Sequence, residues 1–251
     1  MFLHRDIGEL PRLFDTHCHL DKCSDGALED AVAAGVQRLV VPSIGRDSWA
    51  RVVELAASPH VLCALGIHPE ALDDLDGLEG ALRGGNAVAV GEIGLDRRLP
   101  HWDRQRVQFR AQLRIADACG LPVLVHCVRA HDALVAELRD VRAQVPIVLH
   151  AYSGSAELVP VYAKLGCYFS FAGTVTWSGS RRGPKACAAV PAQRLLIETD
   201  APYLSPQSRR GVPSAPAWLP EIAAAVAVIR GVDLAAIAAV TTANAERVFC
   251  A

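Results

Sequence analysis

Eight short apolar runs, most of them separated by segments with helical character, constrain this chain more than any other feature. They lie around Leu13–His17, Arg38–Pro42, Val61–Ile67, Ala87–Ile93, Pro122–Cys127, Pro146–Ala151, Cys167–Ala172 and Arg194–Thr199. Most are unbroken runs of Val, Leu, Ile, Ala and Phe, the pattern left by burial on both faces of a parallel sheet. The clearest helix runs from about Asp103 to Cys119, with Phe109, Leu113 and Ala116 at helical spacing and Gly120 and Pro122 as a stop. Others span His131–Ala143, Pro216–Ile229 and Leu234–Phe249. This alternation, without linker or low-complexity stretch, predicts an α/β fold: one (β/α)8 TIM-type barrel over residues 1–251, with 1–11 as a short N-terminal extension. A doubly wound open sheet is the alternative. The barrel fits better because ligand-type residues close many different strands, and in a barrel those ends meet around one mouth.

Composition narrows the partners. The net charge of −2 gives no overall basic field to recruit nucleic acid, so any anion binding must be local. The eight cysteines are scattered, without paired Cys-x-x-Cys spacing, which fits reduced thiols in a cytoplasm. His4, Arg5, Asp6 and Glu9 interrupt the N-terminus, unlike a signal peptide, and no apolar run reaches the roughly 18 residues of a membrane helix. The expectation is a soluble, cytoplasmic monomer with no membrane partner.

The strand ends carry the chemistry. The first gives His17 and His19 in Phe14-Asp15-Thr16-His17-Cys18-His19, where alternation puts Asp15 and both histidines on one side. Two imidazoles there can chelate a divalent metal, and a nearby carboxylate can orient them. The third run ends Gly66-Ile67-His68-Pro69 and the fourth Gly91-Glu92-Ile93-Gly94-Leu95-Asp96. The fifth gives His126, the sixth His150, and the eighth ends Glu198-Thr199-Asp200-Ala201-Pro202. Taken singly, each has a bland explanation: a hydrogen-bonded core histidine, a turn at Asp200, a loop acid at Glu92. Together they are hard to dismiss, because burying polar groups unpaired costs several kcal/mol. Four histidines with Glu92 and Asp200 suit zinc, manganese or magnesium. Six ligands exceed the needs of one tetrahedral ion, so two ions bridged by Glu92 are expected. Two divalent cations against two carboxylates leave a positive centre, which favours an anionic substrate such as a phosphate ester.

These motifs, with His150-Ala151-Tyr152-Ser153-Gly154 and Thr242-Ala243-Asn244-Ala245, make the chain similar to the TatD-family metal-dependent hydrolases, a branch of the amidohydrolase-like barrels that includes deoxyribonucleases. The likeness covers nearly the whole chain. It implies that His17, His19, Glu92 and Asp200 hold one ion and that Glu92, His126 and His150 hold the second. It also implies phosphodiester hydrolysis of DNA by a metal-activated water, with Asp200 as general base and His68 contacting substrate phosphate. Two positions depart from the family pattern: Ser214 stands where an Asn is usual before a Pro, and Val128 where an Arg often follows His126, the arginine being Arg129.

Arginines recur in the inferred mouth loops: Arg97, Arg98 and Arg104 after the fourth strand and Arg129 after the fifth. Arg181, Arg182 and Lys185 follow the seventh, and Arg209 and Arg210 the eighth. Arg97 and Arg129 are expected to contact substrate, and Tyr203 and Trp177 to stack on bases. The acids Glu70, Asp73, Asp74 and Asp76 after the third strand repel phosphate, so a groove should avoid that side. Two other functions compete: hydrolysis of a small ester, lactone or amide, and a metal-stabilised scaffold without activity.

Overall fold

A computed structural model of the protein describes residues 11–250; most of the expected 1–11 extension lies outside them. Eight parallel strands follow one another around a nearly closed barrel in chain order. They are β1 (Leu13–Asp15), β2 (Val36–Pro42), β3 (Val61–Leu65), β4 (Ala87–Asp96), β5 (Val123–Val128), β6 (Ile147–Leu149), β7 (Cys167–Phe171) and β8 (Leu195–Ile197). Between β8 and β1 the barrel is drawn together by single backbone bonds: Thr16 N–H to Ile197 O (3.2 Å), Asp200 N–H to His17 O (2.9 Å) and His19 N–H to Ala201 O (2.8 Å).

The unbroken apolar runs reflect burial on both faces. Each strand sends one side chain to the interior, from Phe14 through Val40, Ala64, Ala89, Leu124, Val148 and Tyr168 to Leu196, and these form one buried cluster. Their neighbours, among them Leu13, Leu39, Val125 and Ile197, face the helices in a second. The helices are α1 (Ala27–Ala33), α2 (Trp49–Leu55), α3 (Leu78–Arg83), α4 (Trp102–Cys119), α5 (His131–Val141), α6 (Val159–Lys164), α7 (Arg182–Ala189), α8 (Leu219–Arg230) and α9 (Leu234–Phe249). Gly120 ends α4 as the sequence implies, at φ +67°. The last turn of α9 plugs the barrel floor, where Phe249 stacks on Phe14 at 5.9 Å. Burying a ring of that size contributes about 2–3 kcal/mol.

Several strands end earlier than their apolar runs do. β1 stops at Asp15, β6 at Leu149 and β8 at Ile197, because the next residues leave the ladder and turn their side chains to the rim. β4 runs longer, through Asp96, since Gly94, Leu95 and Asp96 pair with His126, Cys127 and Val128 of β5. The register shifts between Val90 and Ile93, which sets Glu92 out of the ladder. Residues 216–218 form a 3-10 turn before α8 rather than its first turn. Among the described residues, no single helix is long and apolar enough to cross a membrane. The α8 and α9 segments pass such a test only as a pair, and they are bent by 108°.

Candidate metal centre

The histidines and acids at the strand ends converge at the C-terminal mouth. His17 Nε2 lies 3.3 Å from His19 Nε2 and 3.3 Å from Glu92 Oε2. Asp200 Oδ1 is 3.6 Å from His17 Nε2 and 3.7 Å from His19 Nε2, and His19 Nε2 is 3.6 Å from Glu92 Oε2. A tetrahedron around an ion with bonds of 2.0–2.2 Å has edges of about 3.3–3.6 Å, and the five separations just given lie within or 0.1 Å beyond that range. Glu92 Oε1 faces the other way, 2.9 Å from His126 Nδ1 and 2.9 Å from His150 Nε2, which are themselves 3.2 Å apart. Right-angle coordination at about 2.1 Å spaces donors about 3.0 Å apart, so this trio suits a second cation. Glu92 thus has one oxygen in each set.

The charge state fits the same reading. Burial alone would raise the Glu92 carboxyl, but the imidazoles of His150, His68 and His17 and a hydrogen bond from His126 hold it well below the usual range. At Asp200 the balance is reversed: burial, with Glu198 and Glu92 nearby, outweighs the imidazoles of His150 and His126 and pushes it well above. Its Oδ1 is buried without a hydrogen-bond partner among the described residues. A buried acid oxygen with no donor, aimed at two imidazole nitrogens, is what a cation site leaves to be filled.

Neighbouring groups orient the ligands. Asp96 Oδ2 lies 3.1 Å from His126 Nε2, and Arg98 clamps the same carboxylate with Nη2 at 2.6 Å and Nε at 3.0 Å. With the Nε2 proton donated to Asp96, the Nδ1 lone pair of His126 points at the centre. Glu198 accepts the Ala151 N–H at 2.5 Å and lies 3.4 Å from His150 Nδ1. Asp15 does not reach an imidazole nitrogen. It accepts the backbone N–H of His17 and of Thr199 and the Thr199 hydroxyl, tying the end of β1 to the end of β8. Burial raises its carboxyl to about 7.

His68 sits 3.5 Å from Glu92 Oε1 through Nε2, close enough to pass for a ligand. The backbone N–H of Glu70 donates to its Nδ1 at 3.1 Å, however, and burial lowers its pKa to about 4. The ring is therefore neutral with its proton on Nε2. A protonated nitrogen donates a hydrogen bond and does not bind a metal.

A cavity of about 520 Å³ opens above these groups, lined among others by Lys22, His68, Arg98, Trp177, Arg182 and Tyr203. Tyr203 packs edge-on against His19, with ring centroids 5.6 Å apart. Arg97 and Arg129 do not line this cavity. The Arg97 guanidinium is held by Asp132 at 2.8 Å and lies over Trp102, and its Nη1 bonds the backbone carbonyl of Arg129.

The sequence relationships agree with this geometry. A family model described as TatD related DNase matches residues 14–250. The chain belongs to the TatD family. This TatD-family protein is 34% identical to an uncharacterized metal-dependent hydrolase, YabD of Bacillus subtilis, over 94% of its own chain and 98% of that protein. It is also 34% identical to the 3'-5' ssDNA/RNA exonuclease TatD of Escherichia fergusonii, over 93% of this chain and 95% of that one. Among solved structures, the TatD homologue YjjV of Escherichia coli superposes with a TM-score of 0.92 at 31% identity, covering 97% of this chain and all of the other. The protein is a metal-dependent hydrolase.

For this TatD-family hydrolase, the sequence brought forward His17, His19, Glu92, His126, His150 and Asp200, and the fold gathers all six. Asp96 and Glu198 were given no role. Both lie inside the quoted motifs, and the signal was an acid embedded in a buried strand end. Arg182 was visible as a loop cation, but its place on the mouth depends on how the loop after β7 folds. Lys22 gave no signal.

Proposed function

We propose that the protein hydrolyses phosphodiester bonds of DNA, at strand ends or in short single strands, with two divalent ions (zinc, magnesium or manganese) as cofactors. His17, His19, Glu92 and Asp200 hold one ion, and Glu92, His126 and His150 the other. The observation that carries the reading is Glu92, whose two oxygens serve two separate donor sets. When bound, such ions polarise phosphoryl oxygens and make water a nucleophile near neutral pH.

The chain's own groups supply the rest. Asp200 takes the proton from the attacking water. His68, neutral with its proton on Nε2, donates a hydrogen bond to a phosphoryl oxygen. Lys22 and Arg182 neutralise the phosphate, in the place the sequence suggested for Arg97 and Arg129. Tyr203, 48% exposed on the rim, offers a face for a base. Every group named comes from one chain, so a monomer suffices.

The test is incubation with end-labelled single-stranded DNA in magnesium, manganese or zinc, against a chelator control. Metal-dependent shortening is expected. No shortening with any of the three, alongside turnover of a neutral ester or lactone, would replace this reading with a carboxylic-ester hydrolase.

A further inference from the structure

Two further clefts flank the mouth, and they carry opposite charge. One, of about 600 Å³, lies at the loops after β2 and β3 and is lined by Arg46, Asp47, Ala71, Asp73 and Asp74. Its single cation is already neutralised, because Arg46 Nη1 is 2.7 Å from Asp74 and its backbone N–H donates to Asp73. The other, of about 260 Å³, lies between the loop after β6 and the start of α7 and is lined by Ser155, Ala156, Glu157, Arg181, Arg182 and Lys185. Strands run around the barrel in chain order, so the loops after β2 and β3 stand across the mouth from those after β6 and β7.

The cationic cleft adjoins the mouth. Arg182 lines both, and Ser153 of the mouth is two residues from Ser155 of the cleft. Arg181 and Lys185 are four residues apart, so they share a face at the start of α7. Most other mouth-side arginines are already engaged: Arg97 with Asp132, Arg98 with Asp96 and Arg209 with Glu221. Among the described residues Arg181, Arg182 and Lys185 form no ion pair, and all three are exposed. Glu157 is the one acid in the cleft, against three cations.

Resting on the phosphodiesterase reading above, we propose that a single nucleic-acid strand leaves the metal centre through this cleft, its phosphates passing Arg182 and then Arg181 and Lys185. The acidic cleft opposite closes the other direction. The strand is thus held on one side of the scissile bond only.

The test is direct binding, which does not depend on turnover. Fluorescence anisotropy is measured with a hydrolysis-resistant 12-nucleotide phosphorothioate thymidine strand and with the matching dinucleotide, on metal-loaded protein. The wild type is expected to hold the longer strand at least tenfold more tightly. Arg181→Ala/Lys185→Ala weakens that binding about tenfold and lowers its dependence of log affinity on log salt by about 1.4, the value for two lost phosphate contacts on a single strand. Glu157→Gln acts oppositely and tightens it two- to threefold, an effect that misfolding does not produce. Equal affinity of the wild type for both lengths, or an unchanged affinity and salt slope in the double variant, overturns the proposal. Turnover of bis(p-nitrophenyl) phosphate by the wild type, a diester too short to reach Arg181 and Lys185, reports separately on the phosphodiesterase reading.

Discussion

Asp96 and His126 approach to 3.1 Å, carboxylate oxygen to Nε2, across the paired strands β4 and β5, where Gly94 lies opposite His126 and Asp96 opposite Val128. That bond turns the other ring nitrogen, Nδ1, to within 2.9 Å of Glu92. The carboxylate is itself fixed by Arg98, so the chain from Arg98 to Asp96 to His126 sets which nitrogen faces the centre.

Breaking this relay should weaken one ion and spare the other. Asp96→Ala lets the His126 ring rotate and change tautomer, and such changes cost 10- to 100-fold in metal affinity. The set of His17, His19 and Asp200 does not touch Asp96. Stepwise metal titration by calorimetry should show one binding step weakened and one unchanged. Equal loss in both steps would contradict the separation.

Glu92 is the opposite case, since it serves both sets. Glu92→Ala removes one donor from each and leaves the imidazoles of His17, His19, His126 and His150 without their common anion. Metal content per chain, measured on purified protein, should fall from two to one or none. Hydrolysis should drop at least a thousandfold. A variant retaining two ions per chain would show that Glu92 is not shared.

The candidate metal-binding side chains were legible because each combines a metal-binding residue type with an unlikely place, a polar group at the end of an apolar strand. His17 and Asp200 both carry that signature. Asp96 carries it too, but its partner His126 is thirty residues away, and strand register is not written in either segment alone. The mouth cations are least legible. Arg97 and Arg98 are adjacent in sequence, yet only Arg98 reaches the cavity, because Asp132 at the start of α5 captures Arg97. Ser214 illustrates the same limit. Its hydroxyl is buried without a partner among the described residues, and the structure offers no role for it.

Stability should fall on mild acidification, with His131 as one identifiable contributor. Its ring nitrogen lies 3.0 Å from the Tyr162 hydroxyl, and burial, reinforced by Arg182, lowers its pKa from 6.5 to about 4. The unfolded chain binds a proton as pH drops through 6.5, while the folded chain resists until about 4. Protonation therefore favours unfolding across that window, and the stability is fully present only above it. Between pH 7 and 5 the loss from this residue is about 2 kcal/mol. Urea titrations at both values should show a smaller pH-dependent loss in His131→Gln than in the wild type. An identical loss would mean that the ring is not held neutral.

The last prediction concerns Gly94, where the backbone leaves no room for any side chain. A Cβ built there would collide with the carbonyl oxygen of His126 and lie 2.8 Å from its Cβ. The first contact is with backbone, so no rotamer change can relieve it. Either β4 and β5 separate or His126 moves off the line joining Asp96 to Glu92. Gly94→Ala should therefore destabilise the fold by about 3 kcal/mol, toward the upper end of overpacking costs, and weaken the ion held by His126 and His150. Thermal melts combined with metal retention after dialysis separate the two effects. If Gly94→Ala melts with the wild type and keeps both ions, the close approach of these strands is not what places His126. If it melts lower yet keeps both ions, the glycine serves packing alone. The geometry argues for loss of both together, because the displaced carbonyl belongs to His126 itself.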